Sequence, residues 1–336
     1  MIRNLLSITA LALGLASPVF AEGIPIKFTL DWKIQGVHGW FYLAKEKGYF
    51  AAEGLDVTID QGEGSAATVT RIMSGAYDAG FGDMNAIIQN AATNPGEAPV
   101  MVYQIYNQPP FAVLTKTGGP VDSLASLEGL KVGAPPGSAS TKLFPALATA
   151  AGIDASKVEL ISVKSNLQEQ MLIQDQVSAS LVFNVTSYLN ILGLGMDPDT
   201  DFTWYPYGAS GLDIYSNGVM VSPKLLAENP EAVQGLVTAI AKAMADVLAN
   251  PQEGIDVIIA TEPLSNGELE MKRLQFALDN LIFSDESKTN GIGAIDDERL
   301  TRSISTIQGL YDLPSAPSAG DVFNASFLPP MDMRSF

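Results

Sequence analysis

The stretch Ile26-Lys27-Phe28-Thr29-Leu30 opens the alternation of strands and helices that decides the fold of this chain. Its apolar and polar side chains alternate, which is typical of a β-strand with one buried face. A helix is predicted to follow over residues 40–48 and to end at a glycine. Further strands are predicted at residues 55–59, 79–81 and 100–105, with helices at 66–74 and 85–92 between them. This order predicts an α/β fold with an open parallel sheet and helices on both faces.

The same alternation restarts in the middle of the chain. Strands are predicted at residues 131–134, 158–161 and 179–183, with helices at 141–151 and 166–174. Segments 72–79 and 172–179 each end a helix and enter a strand, which hints at two copies of one architecture.

After a last predicted strand at residues 219–221, the chain is mostly helical, so we expect it to return to the first sheet. We predict two Rossmann-like lobes, with lobe 1 formed by residues 22–109 and 217–336 and lobe 2 by residues 110–216. The two crossovers, near residues 108–110 and 214–218, are predicted to form a two-strand hinge.

The first 21 residues are predicted to be a cleavable signal peptide. Arg3 precedes an apolar run over residues 5–15, and Val19-Phe20-Ala21 offers short side chains at the cleavage positions. The mature chain is therefore expected to begin at about Glu22. Because the chain has no cysteine, it offers no thiol for a lipid anchor, and we expect a periplasmic protein without a membrane anchor.

The charge balance narrows the class of partner. Acidic residues outnumber basic residues 37 to 19, and the net charge of −18 disfavours nucleic acids and anionic membranes. One histidine and no cysteine leave little for nucleophilic or acid–base catalysis or for a metal site. We therefore expect a monomeric binding protein that has no cofactor, no metal and no catalytic residues.

A series of motifs resembles the periplasmic binding proteins for thiamine-pyrimidine precursors and for their sulfonate, taurine and nitrate-type relatives. The motifs cover nearly the whole chain after the leader. They are Leu30-Asp31-Trp32, His38, Phe41-Tyr42-Leu43-Ala44, Lys47-Gly48-Tyr49-Phe50, Glu53-Gly54-Leu55-Asp56-Val57, and the segments 74–80, 127–133 and 222–231.

The resemblance implies a type II periplasmic binding fold, a small solute in the cleft between the lobes, and an ABC-transporter permease as partner. The same fold also hosts a pyrimidine synthase and a dehydratase, so an enzyme is the less favoured alternative. The synthase relatives carry a cysteine-rich iron motif, which this chain lacks.

The first candidate ligand-binding residues follow predicted strands, where the cleft of an open α/β sheet lies. Trp32 comes directly after the first strand, and its flat indole suits a planar ligand or a core position. His38 is either a cleft residue, as in the thiamine-precursor binders that the chain resembles, or a structural histidine. Gly64 and Ser65 open a helix, where free amides hold an acceptor or need only a cap.

Two further groups extend the cleft prediction. Asp83 and Asn85 follow the third strand, where Asp83 either caps a helix or accepts a hydrogen bond from a ligand amine. Ser138, Ser140 and Thr141 place three hydroxyls at a helix start in lobe 2, which suits an anion or another polar group.

The last candidates lie beyond the strand at residues 179–183 and near the second crossover. Asn184 and Tyr188 follow the strand, whereas Asp213 and Tyr215 either line the cleft or pack in the hinge. A flat aminopyrimidine-like heteroaromatic solute is favoured over a small organic anion such as a sulfonate or an aromatic carboxylate. Lys33 is the only cation near these positions, and neutral residues follow the strand, where the thiamine-precursor binders carry an acidic residue.

Overall fold

The computed structural model of the chain describes residues 23–164 and 166–336, so the predicted signal peptide lies outside the described residues. The strands are β1 (Ile24–Thr29), β2 (Leu55–Asp60), β3 (Ala79–Asp83), β4 (Val100–Gln104), β5 (Phe111–Lys116), β6 (Lys131–Ala134), β7 (Glu159–Ser162), β8 (Ala179–Phe183), β9 (Phe202–Pro206) and β10 (Asn217–Val221). The helices are α1 (Gly39–Glu46), α2 (Tyr49–Ala52), α3 (Ser65–Met73), α4 (Met84–Thr93), α5 (Ala139–Ala151), α6 (Gln168–Ile173), α7 (Asn184–Gly193), α8 (Pro223–Glu228), α9 (Pro230–Ala249), α10 (Pro251–Thr261), α11 (Gly267–Ala277), α12 (Asp285–Asn290), α13 (Asp297–Tyr311) and α14 (Ala319–Val322).

The strands form two sheets, one in each lobe, which confirms the predicted α/β fold. The first sheet has the order β2-β1-β3-β10-β4 and the second has the order β7-β6-β8-β5-β9. In each sheet one strand is antiparallel to both of its neighbours, β10 in the first and β5 in the second. The prediction of a wholly parallel sheet is therefore wrong, because each lobe receives one reversed strand that arrives directly from the other lobe.

The two connections between the lobes span residues 105–110 and 207–216, from β4 to β5 and from β9 to β10. They form the predicted two-strand hinge. The boundaries of lobe 1 (22–109 and 217–336) and lobe 2 (110–216) stay a prediction, which the sheet membership of each strand supports.

The repeat suspected between segments 72–79 and 172–179 corresponds to equivalent places in the two sheets. Segment 72–79 leads from α3 into β3, and segment 172–179 leads from α6 into β8. Gly75 has φ +75°, and Asp175, which replaces glycine in the second segment, has φ +57°. Aspartate is one of the few other residues that tolerate this left-handed conformation, so the turn survives the loss of glycine.

Helices cover the sheets and complete three hydrophobic cores. α9 packs against α1 on the first sheet, and it is the one helix of the described chain that is long and apolar enough to span a membrane. Most of its apolar face is buried in the first core. α13 packs against α4 of lobe 1 and α5 of lobe 2, so the second core is continuous between the lobes.

Candidate ligand-binding site

A narrow cavity lies between the two lobes, with a volume of about 20 Å³ open to the centres of water-sized molecules. Both lobes contribute to its wall, at the carboxyl ends of β1 and β8 and at the starts of several helices. The lining residues are Asp31, Trp32, Ser65, Ser138, Gln168, Glu169, Phe183, Thr186 and Ser187. The sequence-predicted residues Trp32, Ser65 and Ser138 are therefore brought together, as expected for positions that follow strands in an open sheet.

Asp31 is the charged residue on the lobe 1 side of the cavity. One carboxylate oxygen lies 2.8 Å from Nε2 of His38, and the other accepts a hydrogen bond from Nδ2 of Asn217 at 2.8 Å. Nδ1 of His38 accepts a hydrogen bond from the backbone N–H of Gln35 at 3.1 Å, so the ring proton lies on Nε2 and is donated to Asp31. His38 is fully buried and acts here as a structural partner of the cavity carboxylate.

Glu169 is the charged residue on the lobe 2 side. It lies in the first turn of α6, is 5% exposed, and accepts a hydrogen bond from Oγ of Ser187 at 2.6 Å. Sequence reasoning missed Glu169 and Gln168, because it sought ligand contacts after strands and assigned residues 166–174 only to a helix. The signal was present, since α6 follows β7 and so begins at the carboxyl end of the second sheet.

Aromatic and hydroxyl groups complete the wall. Trp32 and Phe183 supply apolar ring surface, while Ser65 and Ser138 stand at the starts of α3 and α5. Oγ of Ser138 lies 2.8 Å from Oγ of Ser140, and Oγ of Ser65 accepts a hydrogen bond from the N–H of Ala139 at 3.4 Å. Ser65 thus joins the two lobes beside the cavity.

The lobes make backbone contact beside these serines, where Gly64 meets Gly137. A Cβ atom on Gly64 would lie 2.0 Å from the carbonyl oxygen of Gly137, and Gly64 has φ +146°. The N–H of Ala67 donates to that same carbonyl at 3.2 Å. Gly64 is thus a point of backbone contact between the lobes, which a side chain would prevent.

Asp83 and Asn85 lie outside the cavity lining. Asp83 caps α4 by accepting from the N–H of Ala86 at 3.0 Å, which is the capping role that was one of its two predicted alternatives. Asn85 donates to Asp83 at 2.9 Å and to the carbonyl of Tyr215 at 2.7 Å. Both side chains therefore stabilise the junction of β3, α4 and the second connection.

Burial raises the pKa of Asp83 from 3.8 to about 7, against the opposing effect of its hydrogen bonds. The folded protein then binds the Asp83 proton more tightly than the unfolded chain does, and this difference stabilises the folded state. The stabilisation is fully present below about pH 4 and is lost as the pH rises through 7. We expect the free energy of unfolding to fall between pH 5 and 8 by more in the wild type than in Asp83→Asn. Urea titrations at each pH measure the free energy of unfolding, and Asp56→Asn, at an exposed position, is the control. If the free energy of unfolding changed equally with pH in the wild type and in both variants, this prediction would be wrong.

Three of the four predicted residues at the start of α5 and after β8 have hydrogen-bond partners within the protein. Ser140 pairs with Ser138, whereas the hydroxyl of Thr141 is buried without a hydrogen-bond partner among the described residues. Asn184 accepts from the N–H of Val185 at 2.7 Å, and Tyr188 donates to Asp199 at 2.7 Å. None of Ser140, Thr141, Asn184 and Tyr188 is among the lining residues.

The exposed Asp213 and the buried Tyr215 both contact Arg299, a buried arginine that joins both connections to the C-terminal helices. Nη2 of Arg299 lies 2.9 Å from Asp213, and its Nη1 donates to Glu286 at 3.0 Å and to Asn107 at 3.2 Å. The hydroxyl of Tyr215 donates to Glu286 at 2.5 Å, and its ring lies 4.3 Å below the Arg299 guanidinium. The structure thus places this pair in the hinge, which was one of the two predicted alternatives.

The charge of the cavity is negative. Asp31 and Glu169 face it from opposite lobes, and none of the described lining residues is lysine or arginine. A groove outside the glycine contact is different, because Lys33, Arg71 and Lys164 lie along it. The cavity therefore suits a ligand that donates hydrogen bonds or carries positive charge, whereas the groove attracts anions.

A protein-family profile described as "NMT1/THI5 like" matches residues 35–254, well over half of the chain. The chain belongs to the NMT1/THI5-like family. The chain is 26% identical to the riboflavin-binding protein RibY of Chloroflexus aurantiacus over 86% of this chain and 82% of RibY. It is 25% identical to the formylaminopyrimidine-binding protein of Halalkalibacterium halodurans over 89% of each chain.

This NMT1/THI5-like chain is also similar to a yeast enzyme and to a sulfonate-binding protein. A pyrimidine phosphate synthase of Saccharomyces cerevisiae, THI11, is 26% identical over 74% of this chain and 75% of its own. The alkanesulfonate-binding protein SsuA of Xanthomonas axonopodis pv. citri has a TM-score of 0.69 at 12% identity and covers 91% of this chain and 100% of its own. This likeness confirms the periplasmic binding protein fold.

Proposed function

We propose that this NMT1/THI5-like protein is the periplasmic solute-binding component of an ABC importer and that it captures an amino-substituted heteroaromatic solute, of the thiamine-pyrimidine-precursor kind, between its lobes. One observation carries the proposal. Two aromatic side chains, Trp32 and Phe183, share the cavity with two carboxylates, Asp31 and Glu169, and with no lysine or arginine among the described lining residues.

The chemistry of this wall suits an aminopyrimidine. A planar ring packs on the indole and phenyl surfaces, while the N–H groups of the exocyclic amine donate to a carboxylate. Hydrogen bonds to charged acceptors are stronger inside a closed cleft than in water. The neutral residues after β8 therefore do not weaken this proposal, because Glu169 on α6 supplies the acidic group from a different element.

The relatives support the class of solute. Two of them are named as binding proteins for riboflavin and for formylaminopyrimidine, both of which are heteroaromatic compounds. An ABC-transporter permease as partner and a periplasmic location follow from the same proposal. The predicted signal peptide, residues 1–21, agrees with export.

A thermal-shift and calorimetry screen tests the function directly. The aminopyrimidine probe 4-amino-5-hydroxymethyl-2-methylpyrimidine, formylaminopyrimidine and riboflavin form one arm, and taurine and alkanesulfonates form the other. A ligand present at a hundred times its dissociation constant adds about 2.7 kcal/mol to stability, which shifts the melting temperature clearly. Stabilisation by the sulfonate arm alone would contradict the proposal.

Trp32→Ala is expected to weaken binding of the aminopyrimidine probe by at least about tenfold, because stacked aromatic contact and buried area are lost. The melting temperature without ligand should change little, since Trp32 is partly exposed in the cavity wall. Trp204→Ala is the matched control. Trp204 donates from Nε1 to the carbonyl of Pro198 at 2.8 Å and packs on Tyr188, so this change should lower stability and spare affinity. If Trp32→Ala instead lowered the melting temperature and spared affinity, Trp32 would be a core residue.

A small organic anion is the second candidate, and two observations favour it. The groove at the cleft rim holds Lys33, Arg71 and Lys164, and helices α3 and α5 direct their N-termini towards the cavity. The carboxylates of Asp31 and Glu169 repel an anion with two full charges, which outweigh the roughly half charges of the helix ends. We therefore rank the small organic anion second. Taurine binding that is lost in Lys33→Gln and Lys164→Gln would favour the anion.

Catalysis is the third candidate, since the yeast relative is named as a synthase. Incubation of the purified protein with each bound solute, followed by mass spectrometry, distinguishes a binder from an enzyme. We expect the solute to be recovered unchanged, and any product would overturn the proposal.

A further inference from the structure

A buried arginine makes a second contact between the two lobes. Arg273 lies in α11 of lobe 1 and is 2% exposed. It donates to α7 of lobe 2 through Nη1, which lies 2.8 Å from the carbonyl of Val185 and 2.9 Å from that of Thr186. Its Nη2 donates to Oδ1 of Asn190 at 3.0 Å. The planar guanidinium therefore spans three acceptors of the opposite lobe.

Glu270 fastens this arginine to the lobe 1 wall of the cavity. Its Oε2 accepts from Nε of Arg273 at 3.0 Å and from the backbone N–H of Gly36 at 2.6 Å. Gly36 begins the short 3-10 turn that ends at His38, the partner of Asp31. The acidic residue thus links Arg273 to the segment that carries a cavity carboxylate.

One of the three lobe 2 partners of Arg273 lines the cavity. Thr186, whose carbonyl accepts from Arg273, lines the cavity beside Ser187. The hydroxyl of Thr186 also donates to Oε1 of Gln35 in lobe 1 at 3.3 Å. Arg273 itself is not among the lining residues, so it holds both walls without reaching the space between them.

We propose that Arg273 is a positioning residue that latches the lobes closed over the solute, with Glu270 as its anchor. Each of its bonds to α7 must break when the lobes separate, so the latch favours the closed state and slows release of the solute. A residue of this kind changes the dissociation rate more than the association rate. The inference goes beyond the proposed function, and only its solute-release measurement rests on that function.

Two variants test the latch without leaving a buried charge unpaired. Arg273→Lys keeps a cation beside Glu270 but cannot reach all three acceptors with a fork of donors. Asn190→Ala removes one acceptor from the lobe 2 side and changes no charge. The matched control is Arg302→Lys on α13, where the exposed arginine pairs only with Glu298 within its own helix in the described residues.

The first measurement uses no solute. The chain has no cysteine, so Leu264→Cys in lobe 1 and Leu194→Cys in lobe 2, both exposed, accept spin labels whose distance reports lobe opening. The second measurement is the dissociation rate of the aminopyrimidine probe by stopped flow. We expect both variants to lengthen the mean label distance, and Arg273→Lys to speed release about tenfold, which corresponds to about 1.4 kcal/mol.

If both variants showed the same label distances and the same dissociation rates as the wild type, the latch proposal would be wrong. A lower melting temperature with unchanged distances and rates would also overturn it, because Arg273 would then be structural only. If the probe does not bind the wild type, the proposed function fails, while the label distances still decide whether Arg273 holds the lobes together.

Discussion

Glu169→Gln is expected to weaken binding of the aminopyrimidine probe by about 10- to 100-fold, because a hydrogen bond to a charged group contributes about 1.5–3 kcal/mol. Glutamine has nearly the shape of glutamate, so the cavity keeps its form. Its amide nitrogen, however, presents a donor where the solute needs an acceptor. Ser187 still finds an oxygen to bond, so the pair with Ser187 survives in the variant.

Isothermal titration measures this loss, and the melting temperature without ligand checks that the fold is intact. Glu159→Gln is the matched control, because Glu159 is an exposed residue of β7 in the same lobe. We expect the control to bind as the wild type does. If Glu169→Gln bound the probe unchanged and gained affinity for taurine, the heteroaromatic proposal would give way to the anion.

Gly137→Ala is expected to prevent full closure of the lobes and to weaken solute binding by about 10- to 100-fold. A Cβ atom at this position would lie 2.7 Å from the carbonyl oxygen of Glu63 and 3.1 Å from Cβ of Ala67, both in lobe 1. Overpacking of this kind costs about 1–3 kcal/mol. Gly137 is not among the glycines with positive φ, so the strain falls on the contact between the lobes and not on lobe 2 itself.

Small-angle scattering with and without the probe measures closure, and calorimetry measures affinity. Gly208→Ala is the control, because a Cβ atom there meets no atom within 4 Å and its φ is not positive. Closure and affinity equal to the wild type in Gly137→Ala would show that the lobes do not need this contact. A drop in melting temperature without ligand would instead point to damage within lobe 2.

Three of the nine lining residues followed from one physical rule, which places ligands beyond the carboxyl ends of strands in an open sheet. That rule led to Trp32, Ser65 and Ser138, which now share a cavity. It also led to Asp83, whose place at the end of β3 is equally suitable but whose carboxylate caps α4. The direction of a side chain at a strand end depends on which neighbouring groups need a partner, and those neighbours come from distant parts of the chain.

The strands and helices follow from the order of the residues, because apolar periodicity and glycine positions act over a few neighbours. The reversed strands β5 and β10 depend on tertiary structure, since each is placed by a chain segment that arrives from the other lobe. The same holds for Glu169 and Arg273. The role of Glu169 comes from its place beside Ser187 of α7 within lobe 2. The role of Arg273 comes from contacts with α7 that only the closed pair of lobes creates. Local pattern therefore specifies the elements, whereas long-range contacts decide which carboxylate faces the solute and which cation holds the cleft shut.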